Sequence, residues 1–198
     1  MENQQLLEEM YAYALRNDVP IMESDGLSYL QFYFQQHQIT SLLEIGTAIG
    51  YSAIALASAN PQLRRILTLE IDPDRCLLAK ENIARAGLSG VIEVVNCDCR
   101  SFETEEVFDA LLLDGPKAHN QQLFEHFEKN VAAKGHVIVD DVYFHGFIDN
   151  QHAIRTRRMR QMVQKLQKFR DGLMNNPDYQ VSYLEIGDGI ITAEKRGE

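Results

Sequence analysis

Apolar positions change their period along the chain. Leu6, Leu7, Met10, Tyr13 and Ala14 recur at helical spacing, and Leu27, Leu30, Phe32 and Phe34 follow Ser24-Asp25-Gly26 as the packing candidates of a second helix, so residues 1–38 are expected to be a helical segment. Short apolar runs then take over at 41–45, 66–70, 91–96, 108–114 and 136–140, each with the length and composition of a strand. Helical patterns at 51–59, 74–86 and 120–132 separate them, with Gly87, Gly90 and Gly135 at the exits. Strand alternating with helix joins parallel strands through right-handed crossovers. The ending differs: 179–186 and 189–194 are β-rich and flank Gly187-Asp188, a two-residue hairpin signal for an antiparallel pair. The fold class expected is α/β, a Rossmann-like sheet of seven strands closed by an antiparallel hairpin.

Composition narrows the setting. A chain of 198 residues that is 45% hydrophobic can bury one substantial core, and a single domain over 1–198 is the default. The acidic start at Glu2, Glu8 and Glu9 is unlike a secretory leader, and no run approaches the roughly 20 apolar residues of a membrane helix, so a cytoplasmic protein is expected. Cys76, Cys97 and Cys99 are expected to be reduced; Cys97 and Cys99 lack a second Cys/His pair at zinc spacing and read as strand-end packing.

A net charge of −10 argues against general nucleic-acid affinity, yet Arg155, Arg157, Arg158, Arg160, Lys165, Lys168 and Arg170 follow one another without an intervening acid. Met159, Met162, Val163, Leu166 and Phe169 form an apolar stripe through the same segment, leaving Arg157, Arg160, Lys165 and Lys168 toward solvent. From the pattern alone this is an ordinary amphipathic surface helix.

Two constellations carry chemistry. The first runs from strand to helix as Glu44-Ile45-Gly46-Thr47-Ala48-Ile49-Gly50-Tyr51-Ser52. Gly46 and Gly50 allow close backbone approach, and the helix that follows offers free N–H groups. Glu70, about 20 residues beyond the turn, can accept both ribose hydroxyls of an adenosine cofactor, and Asp98 could meet its adenine. The spacing is G-x-A-x-G, and Glu44 before the turn suits a cationic sulfonium amino acid better than a pyrophosphate, which disfavours a nicotinamide cofactor.

The second is acidic: Asp114 closes the fourth strand and Asp140-Asp141 the fifth. If these strands are neighbours their ends lie about 5 Å apart, and three carboxylates converge. Such crowding calls for a cation, and an all-oxygen set favours Mg²⁺, Mn²⁺ or Ca²⁺. Lys117 lies on the same loop, where a metal and partial burial would lower its pKa toward a general base; His119 and His145 are rival bases.

These residues resemble the metal-dependent O-methyltransferases that include the catechol and caffeoyl-CoA enzymes: E-I-G-T-A-I-G-Y-S, the strand-end Glu70, D-G-P-K and V-D-D, over most of the chain. More narrowly, V-D-D-V-Y-F-H-G, T-R-R-M-R-Q-M-V-Q-K-L and I-G-D-G-I-I are similar to the bacterial tRNA 5-hydroxyuridine methyltransferase branch, which makes 5-methoxyuridine at the wobble position. The resemblance implies a sheet with an antiparallel seventh strand inserted, and S-adenosylmethionine held by Met22, Glu44, Gly46, Thr47, Gly50, Ser52, Glu70, Asp98, Cys99 and Asp114. It also implies a metal on Asp114, Asp140 and Asp141, with Lys117 at the catechol-type base position and Asp114 beside it in catalysis. In this family the third metal position is usually Asn, and here it is Asp141.

The uridine substrate is chemically coherent, because its 5-hydroxyl and 4-carbonyl form a vicinal oxygen pair that a metal chelates as it does a catechol. The expected partners are then the tRNA anticodon region, resting on Arg157, Arg160, Lys165 and Lys168, and a second copy of the chain. A small phenolic acceptor is the alternative, and a non-catalytic nucleotide-binding module is another.

Overall fold

The structure, a computed structural model, describes residues 3–144, 146, 147, 152 and 154–197. The chain divides into two compact units, Met1–Thr104 and Glu105–Glu198.

In the first unit, helices α1 (Gln4–Arg16) and α2 (Ser24–Gln36) precede β1 (Ser41–Ile45), α3 (Tyr51–Ala59), β2 (Arg65–Glu70), α4 (Pro73–Arg85) and β3 (Ile92–Asn96). β1 pairs with β2 and β2 with β3, both parallel. The core runs through Leu42, Leu43, Ile45, Ile66 and Leu67. α3 is apolar on every side and is buried from Tyr51 to Ala57, as an all-round hydrophobic helix must be. α4 starts where Asp72 accepts from the N–H groups of Asp74 and Arg75, with Pro73 in the first turn. Phe32, expected to pack, is instead 58% exposed. The buried stripe of α2 is Leu27, Leu30, Tyr33 and Phe34, and Phe32 falls out of its phase.

In the second unit, β4 (Phe108–Leu113) leads through a 3-10 turn at Lys117–His119 to α5 (Asn120–Phe127) and a second 3-10 turn at Glu128–Asn130. β5 (Val131–Val139), α6 (Arg157–Met174), β6 (Tyr179–Leu184) and β7 (Ile190–Lys195) follow. β4 and β5 are parallel neighbours, with Leu113 opposite Val139. The helix expected to reach 132 therefore ends earlier. Asn130 anchors the turn by donating to the Glu106 carbonyl at 2.8 Å, and Val131 already pairs with Phe108 across a register irregularity. The alanines at 132 and 133 favour helix only when nothing competes for their backbone.

β7 runs antiparallel to both β5 and β6. The connection is longer than the expected two-residue turn. Leu184 pairs with Ile190, and residues 185–189 bridge them, with Gly187 and Gly189 at φ 56° and 86° and the Gly189 N–H closing onto Ile186 O at 3.0 Å. The strand order is β3-β2-β1-β4-β5-β7-β6, a seven-stranded mixed sheet of Rossmann-like type with its antiparallel strand inserted as expected.

α6 bears out its stripe. Val163, Leu166, Phe169 and Leu173 are buried, each stabilising the helix on its unit by roughly 1.5–3 kcal/mol. Thr156 caps it, accepting from Met159 N at 3.2 Å. The exposed face carries Arg157, Arg160, Lys165 and Lys168. Among the described residues, no helix is long and apolar enough to cross a membrane.

Candidate active site

The first unit builds a closed polar network around its Gly-rich loop. Glu44 on β1 is fully buried and accepts from Ser52 Oγ on α3 at 2.5 Å and from Thr68 Oγ1 on β2 at 2.6 Å. Thr47 and Thr68 share a further hydrogen bond at 2.6 Å. Thr68 has one hydroxyl proton, already given to Glu44, so Thr47 donates. Strand, loop, second strand and helix are thereby tied through one carboxylate. Glu44, expected at the cofactor's cationic end, has both oxygens engaged from within, so its place is beneath the loop. Thr68 escaped the sequence reading, although strand alternation from Glu70 puts it on the same face of β2.

Glu70 serves the loop from its other side. One oxygen accepts from Ala48 N at 2.8 Å and the other from Asp72 N at 2.9 Å. Ala48 sits at φ 46°, a left-handed conformation costly for a residue with a Cβ. The Glu70 contact compensates that strain and fixes the turn between Gly46 (φ 105°) and Gly50 (φ 84°). Met22 and Ser52 are buried in the same unit.

Asp98 lies just past β3, where Arg100 holds it through Nε at 3.0 and 3.2 Å and through Nη2 at 2.5 Å. An adenine contact would have to share or displace that guanidinium. Burial pushes the thiols of Cys97 and Cys99 up, so both stay protonated at neutral pH, and all three cysteines are free. This fits packing better than zinc binding.

The second unit brings the acidic residues together. Asp114 follows the last residue of β4 and Asp140 the last of β5, with Asp140 N donating to Leu113 O at 3.2 Å. Lys117 is only 10% exposed in its side chain, and its Nζ reaches Asp114 Oδ1 at 3.1 Å, the Asp140 carbonyl at 3.1 Å and Asp141 Oδ2 at 3.5 Å. It is not a solvated surface lysine. Asp141 stands at φ 64°, a conformation that short polar side chains tolerate best.

Crowding governs the electrostatics. Burial raises the pKa of Asp114, Lys117 opposing it. Asp140 is pushed up to about 7, by burial first and then by Asp114. Burial alone would lower the pKa of Lys117, but Asp114, Asp141 and Asp140 outweigh it and hold the ammonium protonated. The base-like lowering expected beside a metal is therefore reversed in the cation-free chain. The set holds more acid than base, and its hard oxygen donors suit a divalent cation of the Mg²⁺ kind. His119 turns to Gln122, with Nδ1 and Oε1 3.0 Å apart. His145 lies outside the described residues.

Comparison with known proteins gives the family. The O-methyltransferase family model matches residues 1–196, and the chain belongs to that family. A Staphylococcus aureus protein provisionally assigned as a caffeoyl-CoA O-methyltransferase is 29% identical and superposes with a TM-score of 0.90, covering 96% of this chain and 91% of its own. A Bacillus cereus O-methyltransferase, solved in complex with SAH, is 26% identical at a TM-score of 0.83, over 98% of this chain and 91% of its own. A Mycobacterium tuberculosis catechol O-methyltransferase is 36% identical over 64% of this chain and 60% of its own length.

Proposed function

We propose that the chain is an S-adenosylmethionine-dependent, divalent-metal-assisted O-methyltransferase whose acceptor is 5-hydroxyuridine at the tRNA wobble position. The observation that carries the reading is the buried Lys117 ammonium, which gathers the Asp114 carboxylate, the Asp140 carbonyl and the Asp141 carboxylate around one point at the ends of β4 and β5. The cofactor assignment rests on the loop held between Glu44 and Glu70, and the SAH complex of the Bacillus cereus relative supports it.

A divalent ion on Asp114, Asp140 and Asp141 would supply Lewis acidity, lowering the acidity barrier of the acceptor hydroxyl and chelating its vicinal oxygen pair. The residues of the chain do the positioning. Glu70 and the 46–50 turn it fixes seat the cofactor's sugar and amino-acid ends, while the acidic set orients the acceptor oxygen. As the oxygen–methyl bond forms, the bond from methyl to sulfur breaks. S-Adenosylhomocysteine leaves uncharged at sulfur and the acceptor proton passes to solvent. Lys117, protonated and buried, holds the carboxylates in register and limits their repulsion.

RNA as the acceptor's carrier is supported by α6, whose apolar stripe is buried while Arg157, Arg160, Lys165 and Lys168 are exposed on an otherwise acidic chain. A small vicinal diphenol is the second reading, favoured by the catechol acceptor named for the Mycobacterium tuberculosis relative. Methyl transfer from labelled S-adenosylmethionine with Mg²⁺ is measured in parallel on tRNA bearing 5-hydroxyuridine and on catechols. Labelled 5-methoxyuridine, lost when Arg157 and Arg160 are changed to Glu, supports the RNA reading. Methylated catechol with untouched tRNA replaces it with the second.

A further inference from the structure

Asn120 opens α5 with 1% of its surface exposed, and neither its Nδ2 nor its Oδ1 has a hydrogen-bond partner. A buried carboxamide stripped of water and given nothing in exchange is costly, and a leucine of similar volume would avoid the cost. A side chain kept at that expense is a candidate for a partner from outside the chain.

Its location indicates which one. Lys117 and Asn120 bracket the single 3-10 turn Lys117–His119, closed by His119 N donating to Pro116 O at 2.8 Å. Side chains at i and i+3 eclipse across such a turn, which sets Asn120 behind Lys117 on one side of it, at the head of the buried face that α5 continues through Leu123, Phe124 and Phe127. His119 is drawn aside by Gln122. The unpaired carboxamide thus lies one turn from the residues that would hold the acceptor's oxygens.

A carboxamide offers a donor and an acceptor in one plane, the complement of a ring edge where N–H stands beside C=O. Pyrimidine lactams have that edge and diphenols do not. We propose that Asn120 determines acceptor specificity by accepting from the ring N–H at Oδ1 and donating from Nδ2 to the adjacent carbonyl. This deepens, and rests on, the uridine reading given above.

The test uses the full chain with Mg²⁺, S-adenosylmethionine and two anticodon stem-loop RNAs, one bearing 5-hydroxyuridine and one its 3-methyl derivative, in which the ring N–H is blocked. The native chain should lose roughly ten- to a hundredfold in kcat/KM on the methylated ring, chiefly through KM. Asn120→Leu should be equally slow on both RNAs, bind S-adenosylmethionine with unchanged affinity, and melt no lower than the native chain. Native KM in Asn120→Leu, or no discrimination between the two rings by the native chain, overturns the assignment of Asn120 while leaving the uridine reading intact. A native chain silent on both RNAs but active on catechol overturns both together. Should Asn120→Leu fail to fold, Asn120→Ser, smaller and still polar, carries the same comparison.

Discussion

The two units solve opposite problems with the same side chain type. In the first, Glu44 and Glu70 are buried carboxylates that accept from neutral donors: two hydroxyls for one, two backbone N–H groups for the other. In the second, three aspartates share one ammonium, and charge remains in excess. A carboxylate supplied with neutral donors keeps its charge at little cost. A cluster of like charges does not, and burial with mutual repulsion raises the pKa of Asp114 and Asp140. The first region fixes a loop, and the second concentrates charge.

Breaking the second region has the largest expected effect. Asp140→Ala removes a cation ligand and should cut methyl transfer by about a thousandfold or more, while calorimetry finds S-adenosylmethionine affinity within about twofold of the native value. Native turnover in that variant would remove the metal assignment. Glu70→Ala should do the reverse, weakening cofactor binding roughly ten- to a hundredfold because Ala48 loses its anchor along with the ribose acceptor.

Thr68→Val sharpens the contrast without touching any ligand. It leaves Thr47 without its acceptor and Glu44 with Ser52 but not Thr68 as a donor, and should cost about 1–3 kcal/mol in urea unfolding. A native midpoint would mean that the network is decoration.

The smallest effect is one of pH. Folding raises the Asp140 pKa to about 7, above its unfolded value near 4, so the folded chain binds the extra proton between those limits. In chelator, the contribution of Asp140 to stability should be full below the unfolded value and lost as pH climbs through the folded one. Mg²⁺ should flatten the decline, and Asp140→Asn should lack it. Melting temperatures across pH 4–8 check this, and a slope unchanged in Asp140→Asn assigns it elsewhere.

Much of this was legible in the order of residues. The βαβ rhythm and terminal β-rich runs foretold the sheet, because alternation and helical spacing record which face is buried. Asp114, Asp140 and Asp141 were visible as strand-end residues, since parallel neighbours bring their ends together. What stayed hidden depended on partners. Glu44 gave no sign that Ser52 and Thr68 would occupy it, Asp98 none that Arg100 would. The direction of the Lys117 shift follows from three carboxylates acting against burial, a balance that no single position encodes. The overlong helix at 120–132 and the shortened turn before Ile190 failed because backbone pairing overrode local preference.

The left-handed backbone at Asp141 has a consequence for how the site can evolve. Glycine suits that conformation but brings no ligand; aspartate and asparagine bring one oxygen each in nearly the same shape. The position is thereby confined to a two-letter alphabet whose letters differ by one atom and one unit of charge. Here the charged letter stands, and Asp141→Asn changes the charge of the acidic set while keeping an oxygen in place.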